Sequence, residues 1–394
     1  MSSNRNERFL ALDSCRGLCA CLVAWFHFNK DSGSFIAHSY LFVDFFFVLS
    51  GFVIAHSYLS RLAKPRQLGS FMVLRFGRLY PLHLFIVGCY VALESVKLLP
   101  ALHGIGAGHP FSSADRNMPA LFTNVLMIHG LGMHSALTWN RPSWSISTEF
   151  WCYLVFGVAA AYGWIRKSVL VSVALAGAAI VYFFAPRAMD ATFDFGFARC
   201  LCGFSIGVLC YFAYKAAPKR SPSSSFGVAT MYEALVLTVA VMFVSVAKDG
   251  SALTILAPIV FAPAVWLLSF ESGGLSALLR HRSVQAIGVL SYSIYMTHGL
   301  VKDVADAAAV IFEKTTGVTI SRMVDVSGAG IVRVFGLTTF SSAWWSIGLL
   351  AVTIVVSWFT YSWIEAPFRE RSRQIAKQLR RKSPPYVVSG FSRT

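Results

Sequence analysis

The chain has 394 residues, 56% of them hydrophobic and only 13% charged, roughly half the charged share of a soluble globular domain, which excludes a soluble fold. Its net charge of +16, from 34 Lys and Arg against 18 Asp and Glu, would suit nucleic acid. The cations instead fall in short clusters between apolar runs and near the C-terminus, as the positive-inside bias predicts, so no nucleic-acid partner is expected. The eight cysteines lie in or beside apolar runs without a C-x-x-C pair and read as small packing residues, with no metal site implied. The polar start MSSNRNER leads into an apolar run that holds Asp13 and Arg16 and no small-residue cleavage site, unlike a removed signal peptide.

In chain order, spans are predicted near 9–28, 40–59 and 70–93, with the basic loop Arg61, Lys64 and Arg66 on the cytoplasmic side. The stretch from Glu94 to Met118 reads as external. Ala120 to Met133 is apolar but only about 14 residues long, so it is expected to be re-entrant or interfacial. Further spans follow near 142–164, 168–185, 196–214, 229–247, 252–270, 284–301 and 343–363, with a mixed polar and apolar loop from Lys302 to Ser341. Counting 120–133 as a span would put every later basic cluster outside. The charge pattern therefore favours an all-α integral membrane fold of about ten transmembrane helices with both termini cytoplasmic. The expected division is a membrane domain over 1–368 and a basic cytoplasmic tail over 369–394.

Four polar features stand out. The first span carries Asp13 and Arg16 near its start and His27 near its end; insertion scales charge about 2.5–3.5 kcal/mol for Arg or Asp at a helix centre. Eleven residues separate Arg16 from His27, roughly 16 Å along a helix. Arg75 and Arg78 share a helix face. Glu149 enters its span soon after Ser143 and Ser145, and His298 follows SYSIYMT. Asp44 is the only acid of the second span. Each has a plain alternative: an interfacial ion pair for Asp13 and Arg16, membrane-face anchors for the arginine pair, helix capping for the serines and a carbonyl-bonded helix histidine for His298. Taken together, arginines near the cytoplasmic face suit a phosphate-bearing ligand, and a histidine deeper in suits general-base work on a hydroxyl. A nearby carboxylate, Glu149, would orient or charge-compensate the imidazole. A transporter or flippase that uses the same residues as a substrate path is the competing class, and a scaffold without chemistry is a third.

LALDSCRGLCACLVAWFHF, FVDFFFVLSGFVI, RFGRLYPLH, RPSWSISTEFWCYLVF, SYSIYMTH and the closing Ile364-Glu-Ala-Pro-Phe resemble, in order, the blocks of the acyltransferase 3 family of membrane O-acyltransferases, which includes bacterial O-acetyltransferases of lipopolysaccharide, exopolysaccharide and Nod factors. The resemblance implies a multi-pass protein of the bacterial inner membrane that takes acyl-CoA, most simply acetyl-CoA, as a cytoplasmic donor substrate, with no permanently bound cofactor. It implies a glycan or glycolipid acceptor beyond the bilayer. His27 would match the family's catalytic histidine, Glu149 the acid of the fourth block, and Arg16, Arg75 and Arg78 the donor-associated cations. Asp13, Asp44, Ser143 and His298 would be supporting residues. The chain departs from the family pattern at Ser14 and Cys15, at Phe150 where a second acid is common, and at Thr297 before His298. A soluble esterase-like domain found in some relatives is not expected after the last span.

Overall fold

The computed structural model describes residues 8–29, 32–98, 109–217, 225–326 and 330–381. It is helical almost throughout. The first helix, α1 (Leu10–Phe28), is followed by a short turn of helix, α2 (Ser34–Ala37), and by α3 (Phe42–Leu62) and α4 (Gln67–Val96). The eight-residue α5 (Met118–Val125) begins at Asn117, whose side chain accepts from Ala120 N at 2.9 Å, a side-chain cap. It stops far short of a membrane span, as the apolar stretch 120–133 predicts.

Next come α6 (Trp144–Ala161), α7 (Lys167–Phe184), α8 (Gly196–Ala216), α9 (Phe226–Val246), α10 (Ala257–Leu268), α11 (Gly274–Leu279) and α12 (Arg282–Thr316). A hairpin of β1 (Ser321–Val326) and β2 (Gly330–Phe335), paired from Ser321 opposite Phe335, leads into α13 (Thr339–Thr360). A wide π-helical turn over Tyr361–Glu365 joins α13 to α14 (Ala366–Arg381) without a break. Seven of these segments are long and apolar enough to cross a membrane: 10–28, 39–62, 67–96, 167–184, 196–216, 226–246 and 339–381. The other three anticipated spans are helical, in α6, over Ala252–Leu268 and in α12, but fall short in length or apolarity.

The loop expected over Lys302–Ser341 is mostly structured. Lys302 holds Asp306 one turn on, at 2.6 Å, so α12 continues to Thr316. The hairpin then docks back through Glu313, which accepts from Ile320 N at 2.9 Å and Arg333 Nη1 at 2.8 Å. A polar helix extension capped by a hairpin shows no apolar periodicity, which is why it reads as loop.

Two close helix pairs set the core. A Cβ on Gly17 of α1 would lie 2.6 Å from Gly288 N of α12, and one on Gly288 would lie 2.6 Å from Asp13 O. Only small residues allow backbones to approach so closely. Ser14 bonds Gln285 across the same seam, 271 residues apart in sequence, the separation that also pairs Gly17 with Gly288; α1 and α12 therefore run parallel and in register. In the second pair, Gly51 of α3 meets the Phe204 carbonyl of α8, and Gly207 meets that of Val48. The start of α1 is tied down by Glu271, whose Oε1 accepts from Ala11 N at 2.8 Å. These unsatisfied first-turn amides would otherwise face an apolar surround.

Candidate active site

Five helices, α1, α3, α4, α6 and α12, line a partly open cavity. It gathers Arg16, Arg75, Arg78 and Glu149, four residues far apart in sequence that the pattern of charges singles out. Their settings differ. Arg16 sends Nε to Ser291 Oγ at 2.8 Å and Nη2 to Asp13 Oδ1 at 3.1 Å. Asp13 also takes Arg8 Nε at 2.6 Å, so it offsets part of the Arg16 charge from outside the cavity wall.

Arg75 is nearly buried, with Nη2 donating to Tyr58 OH at 2.9 Å and the guanidinium 4.9 Å from the Tyr58 ring and 5.8 Å from that of Tyr153. Its Nε has no hydrogen-bond partner among the described residues. Arg78 lines the same cavity and makes neither a hydrogen bond nor a salt bridge among the described residues. A buried aromatic cage around one arginine and an unpaired second one leave strong positive potential in a medium that screens it poorly.

Glu149 faces these cations. Its Oε1 accepts from Ser50 Oγ and, at 2.6 Å, from Tyr153 OH. Sequence reasoning assigns Glu149 to the histidine; in the structure the carboxylate accepts from Ser50 and from Tyr153, four residues along its own helix, and lines the cavity with the arginines. Ser145 and Tyr295 also line the cavity, bonded to each other at 2.7 Å, while Tyr295 OH lies 3.1 Å from Pro142 O.

His27 lies outside the cavity lining, farther along α1. Its Nδ1 is 2.8 Å from Val23 O, and its ring centroid is 4.8 Å from that of His298. The in-register packing of α1 on α12 brings these two histidines together, since they too are 271 residues apart. Tyr295 bridges the two places, lining the cavity and lying edge-on to His298 with centroids 5.7 Å apart.

The other anticipated residues have structural partners. Asp44 is fully buried and forms a two-pronged pair with Arg199, Nε to Oδ1 at 2.9 Å and Nη2 to Oδ2 at 2.7 Å. Arg199 also bonds Ala191 O and lies over the Trp144 ring. Ser143 Oγ donates to Asn140 O at 2.6 Å and meets His129 Nε2 at 3.0 Å. Glu365, from the closing block, accepts from Ser293 at 2.9 Å and Arg369 at 3.1 Å. Tyr153, Ser50, Tyr295 and Glu365 go unassigned in the sequence reading. The only available signals are the four-residue spacing of Tyr153 from Glu149 and the position of the others inside quoted blocks. Among the described residues no cluster of three or more His, Cys, Asp or Glu side chains could hold a metal.

Comparison with known proteins matches this architecture to one family. The model of the Acyl_transf_3 family, an acyltransferase domain, covers residues 9–362. Protein 2 in the picA locus of Rhizobium radiobacter is 33% identical over 181 residues, which are 43% of this chain and 92% of that protein. Peptidoglycan O-acetyltransferase OatA of Listeria monocytogenes is 30% identical over 153 residues, 37% of this chain but only 23% of OatA. No solved structure matches the chain. With the family model spanning every helix that builds the cavity, the chain belongs to the Acyl_transf_3 family of membrane acyltransferases.

Proposed function

We propose that this membrane acyltransferase is an O-acetyltransferase that takes acetyl-CoA from the cytoplasm and acylates a hydroxyl of a surface or exported glycan, such as a lipopolysaccharide or exopolysaccharide. The observation that carries the donor is Arg78, a guanidinium without a hydrogen bond or salt bridge among the described residues, in a cavity shared with Arg16 and Arg75. A buried guanidinium without a hydrogen-bond partner calls for an anionic ligand, and the guanidinium fork suits phosphate. The likeness to a peptidoglycan O-acetyltransferase supports the glycan acceptor. A bacterial inner membrane with both termini cytoplasmic fits the distribution of basic clusters.

On this reading the CoA phosphates sit against Arg75 and Arg78, with Arg16 contributing. Glu149, held by Ser50 and Tyr153, balances the arginine charge when the donor is away and orders Tyr153 against Arg75. The acylated pantetheine arm reaches past Tyr295 toward His27. The Nδ1 of His27 faces the Val23 carbonyl, so it holds the proton and leaves the Nε2 lone pair as the base. Nε2 takes the hydroxyl proton as the alcohol oxygen attacks the thioester carbonyl. The C–O bond forms, the C–S bond breaks, and the proton passes from imidazolium to the CoA thiolate, so no further reactant is consumed.

Release of CoA from acetyl-CoA by the protein in proteoliposomes, with a glycan extract of the host as acceptor, tests this. Replacing His27 with Ala is expected to lower turnover about 10²- to 10⁴-fold, the usual share of a general base. Arg78→Ala is expected to raise KM for acetyl-CoA about 10- to 100-fold, the scale of one charge-assisted hydrogen bond. Full activity in His27→Ala would remove it from the mechanism, and an unchanged KM in Arg78→Ala would move the donor elsewhere.

A further inference from the structure

A second depression, which shares no lining residue with the arginine cavity, opens on the outer side of α4, α6 and α14. Phe76, Leu84 and Phe85 of α4, Phe150 of α6, and Phe368 and Ile375 of α14 line it, and all of these but Phe150 are exposed. Close packing shapes the groove. Gly77 of α4 meets the Ser372 side chain of α14, and Arg380 Nε lies 3.4 Å from Ser70 Oγ, so α14 runs back along α4 toward the start of that helix. Phe76 stacks on Tyr80 with centroids 4.3 Å apart and meets Phe150 edge-on at 6.4 Å. Among the described residues a single cation, Arg371, joins this apolar lining. The arginines on either side of it in sequence are held in ion pairs, Arg369 with Glu365 at 3.1 Å and Arg373 with Glu370 at 3.2 Å. Arg371 makes no hydrogen bond or salt bridge among the described residues, and its guanidinium lies 5.3 Å from the Phe368 ring.

We propose that the groove between α4 and α14 seats one anionic phospholipid, with its phosphate on Arg371 and an acyl chain along Phe76, Leu84 and Phe85. Ser372, next to Arg371, sits at the level of Gly77. From there the apolar lining continues along α4 to Phe85, eight residues or about 12 Å, most of the roughly 15 Å that one leaflet contributes to the hydrocarbon core. An unpaired guanidinium at one end of such a groove fits a phosphate joined to a chain, and basic pockets between membrane helices hold anionic headgroups. A zwitterionic headgroup would bring an ammonium beside a helix rich in arginine, where like charges repel. The seat requires only that the chain lies in a bilayer and is independent of the donor and acceptor readings. Because α4 turns Arg75 and Arg78 into the cavity on its other side, a lipid held here braces the helix that carries them.

Native mass spectrometry of the full chain, delipidated in detergent and titrated with dioleoyl phosphatidylglycerol or dioleoyl phosphatidylcholine, tests this. The wild type is expected to retain one phosphatidylglycerol about tenfold or more tightly than phosphatidylcholine, the scale of one charge-assisted hydrogen bond. Arg371→Gln is expected to bring the two lipids level. Arg373→Gln, which removes the same charge from the same helix outside the groove, is expected to keep the preference. Leu84→Trp, which fills the far end of the groove, is expected to weaken both lipids. Equal retention of the two lipids by the wild type overturns the proposal, as does an equal loss in Arg371→Gln and Arg373→Gln, the result for diffuse surface charge. Unchanged binding in Leu84→Trp overturns it by placing the lipid elsewhere. Retention that appears only once residues 382–394 are removed overturns it as well, giving the groove to the end of the chain itself.

Discussion

Asp44 and Arg199 illustrate how a charge is tolerated inside a membrane protein. Both are essentially without exposed surface and meet through two hydrogen bonds. Two carbonyls, those of Tyr40 and Ala191, take two of the three remaining guanidinium donors. Breaking such a pair by removing one partner leaves an uncompensated buried charge and typically costs about 3–5 kcal/mol. Arg199→Ala is therefore expected to lower the thermal midpoint in detergent sharply. Adding Asp44→Leu is expected to recover part of that loss, which a structural pair does and a catalytic acid would not. Asp44 is visible in sequence as a lone acid, but its partner is not: the two are 155 positions apart, and Arg199 resembles any helix-end cation. The arginines of the cavity are more legible because their spacing of three puts two on one face. Glu149 is legible as a buried acid, yet its bonds to Ser50 and Tyr153 exist only once α3 and α6 are packed.

At the scale of elements, hydropathy and basic clusters are enough to locate the apolar helices and to keep 120–133 from being counted as a span. They do not reveal the hairpin of β1 and β2. Its β-branched residues, with Val324 opposite Val332 and Ile331 opposite Asp325, carry a strand signal hidden in a stretch of mixed polarity. This hairpin is held to the end of α12 chiefly by Glu313, which accepts from Ser321 Oγ at 2.7 Å and from the amides of Ile320 and Ser321. Those hydrogen bonds, led by Ser321, depress the Glu313 carboxyl to about 2. A carboxyl whose folded value lies below the ordinary one near 4.3 stabilises fully above that ordinary value, and the stabilisation is lost as pH falls through the depressed one. The hairpin should thus stay docked through mild acid and loosen between about pH 4 and 2. Pepsin cleavage within 321–335 across that range measures it, and Glu313→Gln should remove the pH dependence.

Over the whole molecule, the cavity with Arg75 and Arg78 lies beside the first turns of α4, near the basic loop Arg61 to Arg66 and beside α14. Segment 109–117 and the hairpin belong to the other end of the same helices. If that first end is cytoplasmic, trypsin should cut within the arginine-rich α14 in inverted vesicles and leave it intact in right-side-out ones. The reverse pattern would place the donor cavity outside and overturn an acyl-CoA donor. The two half-sites would then serve opposite compartments, with Tyr295 and Ser145 at the boundary. Residues 9–28 carry Arg16 and His27 on one helix and are legible in sequence; the register that pairs His27 with His298 depends on Gly17 and Gly288 and is invisible until α1 meets α12.

The wide turn at Tyr361–Glu365 works as a phase shift. A π turn holds one residue more than an α turn, so the helix beyond it is rotated by about 100° relative to an uninterrupted one. That rotation points the buried Ser372 and Ala376 at α4, where Ser372 closes on Gly77, and turns Arg371, Arg373 and Lys377 outward. One inserted residue thus decides which stripe of a cationic rod meets the protein and which is left exposed.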